Sequence, residues 1–186
     1  MKTKNPFLTY GYNGPEYFCD RVAETLRMTT LLTNGNHVAL ISPRRMGKTG
    51  LIKHCFAQKE LQEEYFLFLV DIYATSTLAE FTYELGRAIL SVLKSKGRRA
   101  WERFIQVVAS FRTGITMDEF GKPSWNLQIG DIHMPTVTLH EIFRYLKEAD
   151  KPCIVAIDEF QSIADYQERN VEALLRTHIQ DCNHSL

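Results

Sequence analysis

The sequence has no long apolar stretch, no cysteine cluster and no excess of either charge, and each absence excludes a class of protein. Its longest apolar runs, 65–70 and 153–157, fall far short of the roughly 18 residues that a membrane-spanning helix needs. The 4 cysteines of the 186 residues form no CxxC pair, which indicates reduced thiols rather than a disulfide framework or a zinc site. Lysine plus arginine and aspartate plus glutamate each number 22, so no chain-wide charge attracts nucleic acid or anionic membranes. The amino terminus lacks the apolar stretch of a signal peptide, so we expect a cytoplasmic protein that binds no membrane.

What the chain does contain is an alternation of short apolar runs with amphipathic helical patterns. The runs 37–42, 65–71 and 153–157 predict strands, and those at 65–71 and 153–157 have the composition of strands buried on both faces. Between them the apolar residues recur at helical spacing, as in the stretch after Thr77. Strands that alternate with helices favour an α/β fold with a mainly parallel sheet.

Local signals mark where the predicted helices begin. Thr77 with Glu80, and Thr138 with Glu141, have the spacing of capping boxes, and Asn170 has the type of residue that caps a last helix.

The segment between the second and third predicted strands is unusual in charge and composition. Residues 94–112 predict helices with a basic outer face, a basic helical insertion that either binds a partner or is a solvated amphipathic face. Residues 113–135 are irregular, although the alternation of Trp125, Leu127 and Ile129 is compatible with a small strand.

A phosphate-binding loop is the strongest local motif. The pattern of such loops is Gly, four residues, then Gly-Lys-Ser/Thr between a strand and a helix, and Gly47, Lys48 and Thr49 match its second half. The glycine lets the backbone approach phosphate, the lysine reaches the β- and γ-phosphates, and the threonine hydroxyl ligates Mg²⁺. The residues predicted to bind the phosphates are Ser42, Pro43, Arg44, Arg45, Met46, Gly47, Lys48, Thr49 and Gly50.

Ser42 departs from the pattern because it occupies the position of the first glycine. A left-handed backbone there would cost serine about 1–2 kcal/mol, whereas Pro43 favours an extended predecessor. A strand–turn–helix junction with no ligand remains the alternative for this motif taken alone.

Two adjacent acids end the strand at 153–157. Asp158 is predicted to hold Mg²⁺ together with Thr49, and Glu159 to activate the attacking water as a general base. A solvated strand end is the alternative for this pair alone. Since both motifs follow predicted strands in the expected order, together they favour a nucleoside-triphosphate site with Lys48 and Glu159 as its catalytic residues. Asp71 ends its own strand at the same edge and is predicted to be a solvated acid.

Four segments resemble the archaeal-type AAA family ATPases, P-loop proteins placed near the STAND and AAA+ groups. They are NPFLTYGYNGPEYFCDR, ISPRRMGKT, KPCIVAIDEFQSIADY and EALLRTHIQ, and the resemblance runs from about Asn5 to the last residue. It implies a three-layer P-loop sandwich, with residues 1–36 as a preceding segment and helix and 37–186 as the ATPase core. It also implies binding of ATP and Mg²⁺, with hydrolysis in the intact protein. Phe18, Asp20 and Arg21 would lie near the adenine.

The resemblance also concerns the length of the chain. Members of the family continue into a sensor strand that lies between the two motif-bearing strands, and this sequence ends where that strand is expected to begin. We therefore expect an amino-terminal fragment whose strands 37–42 and 153–157 either expose unpaired edges or pair directly, and which hydrolyses ATP slowly.

Three functions remain open at this stage. The first is an ATPase, which Glu159 favours. The second is a nucleotide-gated switch with little turnover, acting through a protein partner or self-association. The third is a nucleic-acid-handling ATPase that uses the basic segment 94–112, which the zero net charge makes less favoured.

Overall fold

The computed structural model of the protein describes residues 11–109, 115–117, 123–125 and 134–182, which form a mostly helical α/β structure. The helices are α1 (Val22–Thr33), α2 (Lys48–Phe56), α3 (Lys59–Glu64), α4 (Leu78–Lys96), α5 (Arg98–Ala109), α6 (Pro135–Glu148) and α7 (Val171–Gln180). The strands are β1 (Phe66–Asp71), β2 (Ile115–Met117), β3 (Pro123–Trp125) and β4 (Cys153–Asp158). Short 3-10 helices cover Pro15–Tyr17 and Phe160–Asp165. None of the helices in these described ranges is both long and apolar enough to cross a membrane.

Strands β1 and β4 form a parallel pair in register from Phe66 opposite Cys153 to Asp71 opposite Asp158. The predicted strands at 65–71 and 153–157 are thereby confirmed, with Tyr65 ending α3 instead of starting β1. Because the two strands are parallel and in register, Asp71 and Asp158 end at the same edge of the sheet.

The two faces of this sheet contact different apolar clusters. The larger cluster joins one face, including Phe68 and Val155, to α4, α5, α6 and α7. The smaller cluster joins the opposite face, through Ile154, to α1 and α2. The sheet is therefore covered by helices on both sides, although β1 is fully buried on one face only and half-buried on the other.

The predicted helix starts have different outcomes. Thr77 caps α4 as expected, since its side chain accepts a hydrogen bond from the Glu80 amide at 3.2 Å. Asn170 occupies the cap position of α7, although its side chain makes no capping hydrogen bond. The prediction for Thr138 is wrong, because α6 begins earlier, at Pro135, and Thr138 is buried inside the helix. Proline suits a first helical position because the amide hydrogen it lacks has no partner there.

The prediction of a strand at 37–42 is also wrong. Residues 36–43 form no strand, and within the described residues β1 is the strand that pairs with β4. Burial still alternates along the segment, with Val38 and Leu40 half-buried against the smaller cluster and Ile41 95% exposed. A strand requires hydrogen bonds to a neighbour, and an apolar run predicts burial without supplying that neighbour. The segment and β4 do not pair directly.

The basic segment covers the end of α4 and all of α5, and its last three residues lie outside the described residues. Arg98 pairs with Glu102 at 2.6 Å, and Arg103 pairs with Asp150 at 2.8 Å. Acidic partners thus neutralise part of its outer face. In the irregular segment, β3 ends at Trp125 and pairs with β2, whereas Leu127 and Ile129 lie outside the described residues.

Candidate functional site

The loop before α2 contains two residues with a left-handed backbone. Gly47 is the N-cap of α2 in a left-handed conformation with φ 73°, and its carbonyl accepts the Leu51 amide at 2.9 Å. Arg45 also has a positive φ, 65°. Space for a Cβ exists at Gly47, so glycine is favoured there by its backbone conformation alone, which would cost another residue about 1–2 kcal/mol.

Ser42 shows that the first glycine of the motif is not needed in this loop. It is not among the described residues that have positive φ, so the free-energy cost of a left-handed backbone at a serine does not apply. Its carbonyl oxygen accepts a hydrogen bond from Lys48 Nζ at 3.0 Å. The lysine side chain therefore folds back over the loop that precedes it.

A direct hydrogen bond joins the two predicted motifs. Thr49 Oγ1 donates to Asp158 Oδ2 at 2.5 Å, across 109 positions of sequence. The other carboxylate oxygen, Oδ1, accepts the Glu159 amide at 3.0 Å. The hydroxyl and the carboxylate predicted to share a metal ion are thus in contact.

Glu159 lies just beyond the end of β4 in a strained backbone conformation. Its φ of 58° and ψ of 36° are left-handed, which is uncommon for a residue other than glycine. Its carbonyl accepts the Ser162 amide at 2.9 Å, and its carboxylate accepts a hydrogen bond from the Gln161 side-chain amide. Such outliers persist where the surrounding structure holds them, and they concentrate at functional sites.

The oxygen atoms at this place suit one kind of metal ion. The described residues contain no group of three or more His, Cys, Asp or Glu side chains that could hold a metal. A threonine hydroxyl and one carboxylate are hard oxygen ligands, and Mg²⁺ is usually bound by few protein oxygens together with water and phosphate. The donor set therefore fits Mg²⁺ and does not fit zinc.

A pocket of about 400 Å³ lies beside the loop, between residues 11–21 and the start of α2. Its lining includes Tyr12 and Phe18 from the segment before α1, and Met46 and Gly47 from the loop before α2. Phe18 stacks on His54 of α2, with ring centroids 4.1 Å apart, and the Tyr12 hydroxyl lies 3.2 Å from His54 Nδ1. Burial, with the nearby Glu16, raises the pKa of the Tyr12 hydroxyl above its ordinary value.

Sequence reasoning from spacing missed most of this pocket. The resemblance implies that Phe18, Asp20 and Arg21 lie near the adenine, which stays a prediction. Phe18 and Arg21 line this pocket, whereas Asp20 is not among its lining residues. The other sequence feature that indicates a pocket is a group of three aromatic residues before the first helix, Tyr12, Tyr17 and Phe18. They follow no periodic pattern, so the sequence does not predict where they pack.

Other predicted residues lie near the site or at its edge. Asp71 is exposed and its carboxylate accepts the Tyr73 amide at 2.9 Å, a contact typical of a strand-end turn. Pro43 and Arg44 are exposed in the loop, while Arg45 and Gly50 line the pocket.

Comparison with known proteins identifies no relative. No family model, no curated protein and no solved structure matches the chain.

Proposed function

We propose that the protein binds Mg²⁺-ATP in a P-loop site and hydrolyses it to ADP and phosphate. The observation that carries the proposal is the hydrogen bond between Thr49 and Asp158. Each residue belongs to a separate sequence motif, and the two residues are 109 positions apart in the sequence. Two motifs with unrelated roles would not be expected to come into contact. The α/β structure with helices on both sides of a parallel pair is compatible with a P-loop sandwich.

The phosphates would be held by the loop and Lys48. The amino terminus of α2 carries unpaired amides and the positive end of the helix dipole, which attract anions. Lys48, now bonded to the Ser42 carbonyl, exchanges that neutral acceptor for phosphate oxygens, which form stronger charge-assisted hydrogen bonds.

Metal and base would lie on the β4 side of the site. Thr49 and Asp158 would hold Mg²⁺, which neutralises charge on the phosphates during transfer. Glu159 would take a proton from the attacking water. Its left-handed backbone directs the residues after it into the 3-10 helix Phe160–Asp165.

The pocket beside the loop is the candidate location for the nucleoside. It has a wall of aromatic side chains, it adjoins Gly47, and about 400 Å³ lies within the usual range of ligand pockets. A planar base suits such walls because stacking buries apolar area on both of its faces.

Calorimetric titration of the chain with Mg²⁺ and a non-hydrolysable ATP analogue tests the proposal. We expect Lys48→Ala to lose about 1.5–3 kcal/mol of binding free energy, roughly 10- to 150-fold in Kd, because a charge-assisted contact is removed. Lys53→Ala is the matched control, since Lys53 is an exposed lysine on the same helix. An equal affinity for Lys48→Ala and the parent would overturn the phosphate-loop assignment.

One observation favours a nucleotide-gated switch as the second candidate. The chain after Glu159 is tied to the start of α4 by two contacts, Thr75 Oγ1 to Tyr166 Oη at 2.5 Å and the Leu78 amide to Glu168 Oε1 at 3.1 Å. A rearrangement around Glu159 would therefore reach α4.

Single-turnover hydrolysis distinguishes the ATPase from the switch. Nucleotide binding without measurable phosphate release, together with altered hydrogen exchange at the start of α4, would favour the switch.

A further inference from the structure

Arg21 reaches from the start of α1 to the candidate phosphate loop. Its guanidinium donates a hydrogen bond from Nη2 to the Met46 carbonyl oxygen at 2.5 Å. Met46 lies between Arg45 and Gly47, which both have left-handed backbones, with φ of 65° and 73°. The contact therefore fixes one peptide at the sharpest part of the loop.

The position of the Met46 carbonyl determines the direction of the next amide. The carbonyl of Met46 and the N–H of Gly47 belong to the same planar trans peptide, so they point in opposite directions. A guanidinium that holds the carbonyl on one side consequently holds the Gly47 N–H facing the other side. Amides of a loop with left-handed residues are the groups that bind anions in such loops.

The backbone of Arg21 is anchored at the start of α1. Its own carbonyl accepts the Thr25 amide at 2.9 Å and the Thr25 hydroxyl at 2.7 Å at the first turn of α1. Helix α1 packs against α2 in the smaller cluster, through Met28 and Leu32. The arginine thus projects from one helix of a packed pair to the loop that begins the other.

We propose that Arg21 is a positioning residue that orients the Met46–Gly47 peptide so that the Gly47 amide can donate to a nucleotide phosphate. The inference rests on the proposed function, since a phosphate must bind the loop. It goes beyond the position near the adenine that the resemblance implied, because here Arg21 acts on the loop backbone through the Met46 carbonyl.

The test compares Arg21→Met, which keeps length and removes donation, with Arg21→Lys, which restores a donor. Arg27→Met is the matched control, because Arg27 is an exposed arginine on the same helix. Titrations use Mg²⁺ with ADP and with a non-hydrolysable ATP analogue. We expect Arg21→Met to weaken both ligands by the same factor, on the order of tenfold as for one hydrogen bond to a charged group. Arg21→Lys should recover most of that loss, and Arg27→Met should bind like the parent.

A second readout needs no nucleotide. In the ligand-free protein, NMR order parameters of the Gly47 and Lys48 amides should fall in Arg21→Met and stay at parental values in Arg27→Met. Unchanged order parameters would overturn the inference, and so would a loss of ATP affinity with ADP affinity retained, which indicates a direct contact with the γ-phosphate. If the parent binds neither nucleotide, the proposed function fails, and so does the phosphate-positioning role. The order parameters then still decide whether Arg21 orders the loop.

Discussion

The two faces of the β1–β4 sheet differ in how they are covered. On the face toward α4, α5 and α6, Phe66, Phe68 and Val70 are at most 5% exposed. On the face toward α1 and α2, Leu67 and Leu69 are only half-buried. On this second face the cover is thin over β1, although Ile154 of β4 is only 1% exposed. The helices that cover it are those beside the candidate phosphate loop, residues 42–50.

The comparison indicates a division of roles. Apolar packing stabilises the face covered by α4, α5 and α6. On the side of α1 and α2, polar contacts from Arg21, Lys48 and Thr49 hold the candidate phosphate loop. Such loops gain less from burial and depend more on individual hydrogen bonds, which allows them to rearrange around a ligand. Four experiments test this division.

The largest expected effect is on chemistry. If the loop binds the nucleotide and the end of β4 supplies the base, Glu159→Gln should leave ATP affinity within about twofold and reduce single-turnover hydrolysis roughly 10²- to 10⁴-fold. The amide has the shape of the carboxylate but cannot accept a proton from water. Phosphate release at the parental rate would show that Glu159 is not the base.

The next largest effect is on the free energy of unfolding. The same substitution is made in the apolar cluster on each face of the β1–β4 sheet. Leu85 of α4 lies in the larger cluster and Leu51 of α2 in the smaller one. Leu→Ala in a core costs about 2–5 kcal/mol, and we expect Leu85→Ala near the top of that range and Leu51→Ala near the bottom, because a thinly covered site relaxes more easily. Urea unfolding measures both, and equal losses would contradict the difference between the faces.

A smaller effect depends on pH at α7. His178 stacks on Phe143 with ring centroids 4.9 Å apart. Burial, and after it the neighbouring His140, lowers the pKa of His178 below the ordinary 6.5, while Asp181 opposes the shift. The unfolded chain therefore binds this proton more readily, so stability is present above pH 6.5 and falls as the pH drops below it. We expect less than about 1 kcal/mol, since a partly exposed group is screened.

Thermal melting at pH 7.5 and pH 5 measures this dependence, with His178→Phe as the comparison. Phenylalanine keeps the stacking and cannot titrate. A pH dependence as large in His178→Phe as in the parent would assign it to other groups.

The smallest expected effect is at the basic surface of α5. Arg98 and Arg103 already have acidic partners, so we expect no retention of a random DNA duplex at physiological salt and no change on replacing Arg98, Arg99 and Arg103 with alanine. Tight, salt-sensitive binding that these replacements abolish would show that the region is a nucleic-acid interface.

The features that local sequence predicts are those with local causes. Strands β1 and β4 follow from apolar runs, and the start of α4 follows from Thr77 and Glu80. The meeting of Thr49 and Asp158 was also predicted, from the two motifs. One premise of that prediction was wrong, because residues 36–43, which precede the loop of Thr49, form no strand.

The features that sequence reasoning missed depend on residues distant in the chain. Segment 37–42 has the composition of a strand but no strand neighbour within the described residues, and pairing is not encoded in the segment itself. The contact of Arg21 with Met46 joins the start of a helix to a loop carbonyl. The sequence does not indicate which backbone carbonyl an arginine will bond to, so this contact was not predictable.

The hydrogen bond between Thr49 and Asp158 also has a consequence for folding. It closes a loop of 109 residues, and the entropic cost of bringing two chain positions together rises with their separation. This entropic cost must be met before a non-local contact contributes to stability. We therefore expect the candidate metal ligands to meet only after α2 and β4 have come together.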